Sequence, residues 1–184
     1  MTVILRRLQA ADIPQVTVLI GEAFGSNGLG TNVGSHLASY ASSSQSQALI
    51  TEQTTAALPA EYWVTEDESS LQIVGTSGIY RFWWTSHTCL WLGWFCVAPS
   101  YQRKGLGSAI AKQTMAIARA RGATYFKIET DNDGTAARFY ERLGFQQEAL
   151  LAGHYDDAMD AVVMRRSLLD IQPAQVAEHY ELEH

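Results

Sequence analysis

The sequence predicts an α+β fold in which helices flank a mixed β-sheet. The first indication is the order strand, glycine-rich turn, helix, strand between Thr88 and Thr130, which is a βαβ-type unit. The second is the series of short apolar or alternating segments on either side of it, which favours antiparallel strands. The chain has 184 residues, 47% of them hydrophobic, with 5 Trp, 8 Tyr and 6 Phe. We therefore expect one domain over residues 1–170 and exclude a mainly disordered chain.

The first 60 residues predict a strand and a helix, followed by a poorly patterned region. Thr2 to Leu8 fits a short strand, and Ala10 to Phe24 carries apolar residues at helical spacing. Gly25 to Gly34 holds four glycines and two asparagines, which indicates a loop. Residues 36–58 are weakly periodic and allow only short helices.

Three strands are predicted in the centre of the chain. Tyr62 to Thr65 and Leu71 to Phe82 are separated by a polar turn. Thr88 to Val97 is apolar on both faces, which is typical of a central strand covered on both sides. Gly93 in its middle suggests a β-bulge.

A turn over residues 99–108 leads into a helix that ends at about Arg121, where Gly122 suits a left-handed stop. A strand from Tyr125 to Thr130 and a short helix from Thr135 to Leu143 follow. Two last strands, at 145–151 and 161–168, are joined by an acidic loop. We expect residues 171–181 to be a C-terminal extension and residues 182–184 to be a tag remnant outside the fold.

Charge and composition narrow the class of function. The net charge of −6 and a pI of about 5.3 argue against a nucleic-acid-binding protein. The apolar run at 89–98 is about half of a ~20-residue membrane span, and the N-terminus shows no signal peptide. Cys89 and Cys96 on one strand would stand ~23 Å apart, too far for a disulfide. We expect a cytoplasmic protein that binds neither nucleic acid nor membrane, and no metal, because the histidines lack ligand spacing.

The turn before the long helix predicts an anion site. Gly105 and Gly107 precede and open a helix whose first N–H groups have no intrahelical partner. The helix dipole and the positive charges of Arg103 and Lys104 favour a phosphate there. The alternative is that the glycines serve packing alone. A dinucleotide-binding fingerprint is excluded because Ile110 stands where its third glycine belongs.

Two segments together resemble the GNAT family of N-acetyltransferases. Val97 to Ser108 is similar to the family's acetyl-CoA motif, Gln/Arg-x-x-Gly-x-Gly/Ala, and Ala136 to Phe145 is similar to its second motif. The resemblance implies a mixed, mostly antiparallel sheet of seven strands flanked by helices, splayed between strands 4 and 5. It implies acetyl-CoA as co-substrate, with residues 103–108 around the diphosphate and the backbone of Phe95 and Val97 along the pantetheine. The residues that the resemblance assigns to the cofactor are Phe95, Val97, Gln102, Arg103, Lys104, Gly105, Leu106, Gly107, Ser108, Asn132 and Asp133.

The resemblance also implies a reaction, the direct attack of an amine on the thioester. Tyr140 takes the place of the tyrosine that protonates the leaving thiolate. The base stays open, because ungapped counting places Ile128, and not Glu129, where the family has a glutamate, and one residue of slip turns a side chain to the opposite face. Other candidates, acting through water, are Glu22, Glu66, Asp156 and Asp157. Asp133 has the alternative role of a helix cap.

The acceptor is expected to be the primary amine of a small molecule or of a peptide end. Neutralising an amine of pKa ~10.4 at pH 7 costs ~4.6 kcal/mol, and one of pKa ~7.8 costs ~1 kcal/mol, which favours an α-amine. Tryptophans 83, 84, 91 and 94 are candidates for an acceptor pocket or for the core. A homodimer is compatible with the resemblance. The alternative function is a non-catalytic acyl-CoA sensor of the same fold.

Overall fold

The fold is a single eight-stranded sheet with helices packed on its two faces. The computed structural model describes residues 2–24, 37, 58–82, 84–132, 134–155, 159–175, 177 and 179–182. The strands are β1 Val3–Arg7, β2 Leu58–Asp67, β3 Gln72–Arg81, β4 Cys89–Val97, β5 Tyr125–Asp131, β6 Gln146–Leu151, β7 Ala161–Ser167 and β8 His179–Glu181. The helices of the described ranges are α1 Ile13–Phe24, α2 Leu106–Ala120 and α3 Thr135–Arg142, with 3-10 turns at Ala10–Asp12 and Pro99–Tyr101.

The strand order is β6-β7-β5-β4-β3-β2-β1-β8. Every neighbouring pair is antiparallel except β4 and β5, which run parallel and are connected through α2. This confirms the predicted α+β class and the βαβ unit at its centre. The strands and helices predicted from residue 2 to 24 and from residue 61 onward are present, with ends that differ by a few residues.

The sheet has eight strands where the resemblance implied seven. Residues 179–181, expected to be an extension, pair with β1 through Tyr180 opposite Leu5. Leu182, which the sequence reading set aside, is buried, and its N–H donates to the Val3 carbonyl at 3.1 Å. The extra strand covers the edge of β1, which would otherwise present unpaired backbone groups.

The core consists of two layers, one on each face of the sheet. Helix α2 lies over the larger layer, to which it contributes the buried Leu106, Ile110 and Met115. Helix α1 covers the smaller one with Val16 and Ile20. Strand β4 faces both layers, as its doubly apolar sequence predicts, with Leu92 in the first and Cys96 in the second.

The helix ends follow their sequence signals. Gly122 has φ +89°, and Gly144, after α3, has φ +86°. Both are glycines in the left-handed conformation that commonly ends a helix. Cys89 and Cys96 are buried free thiols on the same strand.

Several predictions fall on residues outside the described ranges. They include the loop at 25–34, most of the segment at 36–57, Trp83, Asp133, Asp156 and Asp157. Leu37 is helical, and Leu58 begins β2 and does not continue a helix. In the part of the chain that the structure describes, no helix is both long and apolar enough to span a bilayer.

The close approach of β2 and β3 predicts a strong effect of one added methyl group. A Cβ at Gly78 would overlap the ring of the buried Tyr62. We expect Gly78→Ala to lower the free energy of unfolding by roughly 1–3 kcal/mol through overpacking. Gly21→Ala is the control, because no atom lies within 4 Å of a Cβ there. In helix α1 it should stabilise by about 0.5–1 kcal/mol. Equal urea-unfolding midpoints for the two variants would contradict this.

Candidate functional site

The centre of the sheet opens into a gap between β4 and β5. The two strands pair only from Cys89 and Tyr125 to Trp91 and Lys127. Strand β4 then continues to Val97 and β5 to Asp131 without pairing to each other. We call this opening the fork, with β4 residues 92–97 as one arm and β5 residues 128–131 as the other. It corresponds to the splay that the resemblance implied.

A β-bulge in β4 accompanies the fork. The pairing of β3 with β4 shifts by one residue between Thr76 and Gly78, and Trp94 has φ +44°. The bulge thus lies beside Gly93, where the sequence predicted it. An extra residue in one strand bends that strand and increases its local twist.

The inner edge of the β4 arm presents backbone groups to the fork. The Ala98 N–H donates to the Val74 carbonyl of β3 at 2.8 Å. Because such bonds alternate along an antiparallel pair, the N–H and C=O of Val97 point away from β3, toward the fork. The Val97 carbonyl accepts a bond of 2.9 Å from Gln102 Nε2. Gln102 therefore ties the following loop to the end of the strand.

The loop between β4 and α2 has the backbone of an anion cradle. Arg103 has φ +60° and Gly105, the residue before the helix, has φ +86°. Left-handed residues next to right-handed ones turn successive N–H groups toward one point. The first turn of α2 adds its own free N–H groups and its dipole. Arg103 and Lys104 are exposed at the same loop, and the predicted residues of the acetyl-CoA motif thus lie together.

A buried carboxylate braces this loop from the other side. The Tyr101 hydroxyl donates to Asp67 Oδ2 at 2.7 Å, and Asp67 Oδ1 accepts from the Ser69 N–H and hydroxyl at 2.9 and 2.7 Å. These bonds, those from Ser69 first, lower the pKa of Asp67 to about 2. Lys104 Nζ lies 5.5 Å from the centroid of the Tyr101 ring. Nothing in the sequence pattern links Asp67 to residue 101.

Tyr140 lies beside the β4 arm in a buried aromatic group. It is 8% exposed, and its ring centroid is 6.2 Å from that of Phe95 and 5.1 Å from that of Phe139. Burial raises the pKa of the Tyr140 phenol, and electrostatic interaction with the neighbouring Cys96 and Asp131 side chains raises it further. The hydroxyl is therefore protonated at neutral pH and able to donate a proton or a hydrogen bond.

The β5 arm carries a carboxylate on its solvent face. Ile128 is 1% exposed in the larger core layer, so the next residue, Glu129, points to the opposite face, as strand alternation predicts. Glu129 Oε1 accepts a bond of 3.1 Å from the Tyr155 hydroxyl and lies 3.2 Å from His154 Nε2. Sequence reasoning missed Tyr155 and considered His154 only as a metal ligand. Both residues lie 25 or more positions from Glu129 in the sequence, so no local pattern links them to it.

Of the other carboxylates named from the sequence, Glu66 lies on β2, which β3 separates from the fork strand β4. Glu66 pairs with Arg6, with Nε at 3.0 Å, on the β1–β2 side of the sheet. Glu22 is exposed on α1. Asn132 is exposed at the tip of the β5 arm, and its N–H donates to the Asp160 carbonyl at 3.1 Å.

The tryptophans divide between core and surface. Trp91 is buried, and Trp94 packs against the smaller core layer. Trp84 is 57% exposed and stacks on Phe82 with centroids 4.6 Å apart. Among the described side chains, no group of three or more His, Cys, Asp or Glu residues has the arrangement of a metal site.

Comparison with known proteins gives a consistent family. Residues 32–145, more than half of the chain, match the sequence model of the acetyltransferase (GNAT) family. The N-alpha-acetyltransferase RimI of Mycobacterium tuberculosis is 34% identical over 95 residues, which are 51% of this chain and 59% of that relative. The chain thus matches less than two thirds of the relative's length.

Solved structures share the fold. A GNAT-family protein from Desulfovibrio desulfuricans has a TM-score of 0.73 at 22% identity, covering 90% of this chain and 99% of its own. A GNAT acetyltransferase from Elizabethkingia anophelis with acetyl-CoA bound has a TM-score of 0.53 at 17% identity, covering 59% of this chain and 76% of its own. At such identities the likeness concerns the fold alone.

The Asp67 brace predicts a defined pH dependence of stability. The pKa of Asp67 is lower in the folded state than its ordinary value of 3.8. The ionised side chain therefore contributes fully to the free energy of unfolding above pH 3.8. This contribution is lost as the pH falls through about 2. Asp67→Asn should therefore unfold at lower urea than the wild type at pH 7, and the difference should narrow at pH 3. Tyr101→Phe, which keeps the Ser69 bonds, should have a smaller effect at pH 7. A difference between Asp67→Asn and wild type that is constant with pH would contradict this.

Proposed function

The chain belongs to the acetyltransferase (GNAT) family, and on that premise we propose that it is an acetyl-CoA-dependent N-acetyltransferase acting on a primary amine. The observation that carries the proposal is the combination of an anion cradle with an open fork. The cradle at residues 103–108 suits a diphosphate, and the unpaired strand edges of the fork beside it suit an extended chain that bonds to backbone groups. The acetyl-CoA complex of the Elizabethkingia anophelis enzyme supports this choice of co-substrate.

The residues around the cradle fit a coenzyme A thioester. The N–H groups from Arg103 to Ser108 would hold the diphosphate, and each charge-assisted bond is worth about 1.5–3 kcal/mol. The Val97 N–H, which faces the fork, would donate a hydrogen bond to the pantetheine chain. Phe95 lies on the same β4 arm as Val97. Gln102 stays in the proposed set, and the bond from its Nε2 to the Val97 carbonyl ties the cradle to the β4 arm. Asn132, which directly follows the β5 arm, and Asp133, which lies outside the described residues, complete the proposed set.

Acetyl-CoA supplies an activated acetyl group and a thiolate leaving group. Burial raises the pKa of the Cys96 thiol on the β4 arm to about 12, so this thiol stays protonated and is a poor nucleophile. This argues against an acyl-enzyme on Cys96 and supports direct attack by the amine. Tyr140, whose phenol is also protonated, would donate its proton to the departing sulfur. The low-charge aromatic surroundings of Tyr140 strengthen such a bond.

Glu129 is the base that the described residues favour. It lies on the fork, it is exposed to an incoming amine, and it faces away from the core. Glu66 is engaged by Arg6, and Glu22 lies on a helix surface. The sensor alternative is favoured by the lack of a carboxylate on β4, and the proposed role of Glu129 argues against it.

We propose an α-amine of a peptide or small molecule as the acceptor. The relative in Mycobacterium tuberculosis is named as an N-alpha-acetyltransferase, which supports this class. An α-amine also costs ~1 kcal/mol to neutralise at pH 7, against ~4.6 kcal/mol for a lysine. The negative charges of Glu129 and Asp131 would attract the protonated amine. The free thiols of Cys89 and Cys96 support a cytoplasmic location.

The activity is tested by thiol release from acetyl-CoA with a panel of peptides bearing free N-termini and of small primary amines. At pH 7 we expect faster thiol release with a peptide that has a free N-terminus. The comparison peptide has a blocked N-terminus and one lysine, so that its only amine is the lysine ε-amine. Tight binding of acetyl-CoA without release by any amine would instead support the sensor function. A preference for the lysine peptide would refute the α-amine proposal alone.

The cradle predicts that Arg103→Gly separates cofactor binding from folding. Glycine tolerates φ +60° without strain, so the stability of the fold should not fall. Loss of one charge-assisted contact to the diphosphate should raise the acetyl-CoA Kd roughly tenfold or more, measured by calorimetry. Lys112→Ala, which removes an exposed cation from the helix that follows the loop, is the control and should leave the Kd within twofold. An unchanged Kd for Arg103→Gly would show that the Arg103 side chain does not contact the cofactor.

The burial of Tyr140 predicts a variant that loses chemistry alone. In Tyr140→Phe the ring contacts with Phe95 and Phe139 remain, so folding and acetyl-CoA binding should stay. The single-turnover rate should fall roughly 100-fold or more, because the acid is gone. Tyr125→Phe is the control, because Tyr125 lies in the paired part of β5, opposite Cys89, and is 39% exposed. A single-turnover rate equal to that of the wild type would show that Tyr140 is not the acid.

A further inference from the structure

One turn delivers two neighbouring side chains to the same oxygen of Glu129. The Tyr155 hydroxyl is 3.1 Å from Oε1, and His154 Nε2 is 3.2 Å from Oε1. Both residues belong to the connection between β6 and β7, whereas Glu129 belongs to β5. The rings of His154 and Tyr155 meet edge to face with centroids 5.2 Å apart.

We propose that Tyr155 and His154 are positioning residues that hold the Glu129 carboxylate at the acceptor side of the fork and leave its other oxygen to receive the amine. The inference rests on the proposed function and concerns the acceptor half of the same site. It assigns a role in amine use to two residues that belong neither to the acetyl-CoA loop nor to the α3 motif.

Two hydrogen bonds join the described residues on either side of this turn. Tyr155 N–H donates to the Met159 carbonyl at 3.0 Å, and the Gly153 N–H donates to Asp160 Oδ1 at 2.9 Å. The turn leads directly into β7, where Val163 is the pairing partner of Glu129. The carboxylate and the two groups that hold it are therefore fixed by the same pair of strands.

The surroundings keep the tyrosine a donor. Tyr155 is half-buried, and its pKa is raised first by burial and then by the Glu129 charge. Tyr80, half-buried on β3, has its pKa raised in the same order by burial and by Glu129. Two neutral phenols and His154 thus lie near Glu129, with Asp131 two residues further along the same face of the strand and Lys127, paired with Glu148, two residues before it. This is a negative, partly aromatic surface that suits a cationic amine.

Fixing the carboxylate matters because glutamate is flexible. A free glutamate side chain samples many rotamers and loses most of them when it takes part in a defined contact. Two neighbours on Oε1 set the orientation before the amine arrives, so Oε2 is presented in one place. Preorganisation of this kind lowers the cost of binding and of reaching the reactive geometry.

The test compares steady-state acetylation of a hexapeptide with a free N-terminus in single and double variants. We expect Tyr155→Phe to lower kcat/KM for the peptide about tenfold, in line with a lost bond to a charged group. The KM for acetyl-CoA should stay within twofold. His154→Ala should lower kcat/KM for the peptide as well, and His154→Gln, which keeps an N–H donor, should restore most of it. Tyr125→Phe is the control for the loss of a hydroxyl from the same sheet.

The decisive comparison is made in the Glu129→Gln background. If Tyr155 acts through the carboxylate, Tyr155→Phe should change the residual rate of Glu129→Gln less than twofold. An equal tenfold loss in both backgrounds would overturn the proposal, as would a parallel rise in the KM for acetyl-CoA. Activity of Tyr155→Phe equal to the wild type would overturn it alone. A wild type that acetylates no amine of the panel would overturn the proposed function together with this role.

Discussion

The structure depends on the point at which β4 and β5 stop pairing. Inside a sheet, a strand without a neighbour leaves N–H and C=O groups that cost free energy unless they find partners. The bulge at Trp94 turns β4 away, and β3 continues to satisfy its other edge through Val74 and Ala98. On the inner edge of β4, the backbone N–H and C=O of Val97 point into the fork, and the C=O accepts a hydrogen bond from Gln102. The remaining backbone donor is the feature that an extended ligand can use, so the irregularity in the sheet and the proposed function have one origin.

The loop at residues 103–105 combines positive side chains with strained backbone, and hydrogen bonds to neighbouring strands fix it in this conformation. Arg103 adopts a left-handed conformation that costs a residue with a Cβ roughly 1 kcal/mol. The cost is met by anchors on both sides, the Tyr101 bond to Asp67 and the Gln102 bond to Val97. Since both anchors join the loop to strands, the cradle exists before any anion arrives. A protein with a net charge of −6 can therefore present a local site for a polyanion.

The sequence allowed prediction of what depends on local pattern. Strand alternation predicted that Ile128 and Glu129 lie on opposite faces of the sheet, and the glycine at 93 marked the bulge. What it could not provide depends on contacts between distant segments. The strand at 179–181 is only three residues long and exists because β1 offers an open edge, while Tyr155 finds Glu129 across 26 positions of sequence. Neither partner carries a signal of its own, since a histidine and a tyrosine in an acidic turn look like ordinary surface residues.

The two proposed proton-handling groups stand on opposite faces of the sheet. Tyr140 belongs to the core layer beneath α2, whereas Glu129 faces the side away from that layer. A fork is the one place in a sheet where groups from both faces can reach the same ligand, because elsewhere the paired backbone separates them. The separation also lets each group keep its own environment, an apolar one that keeps the phenol protonated and an exposed one that keeps the carboxylate accessible. On this view the fork determines the direction of the reaction, with the amine arriving from the Glu129 face and the thiolate protonated from the Tyr140 face. The turn that holds Glu129 then controls the acceptor half of the reaction without touching the cofactor half.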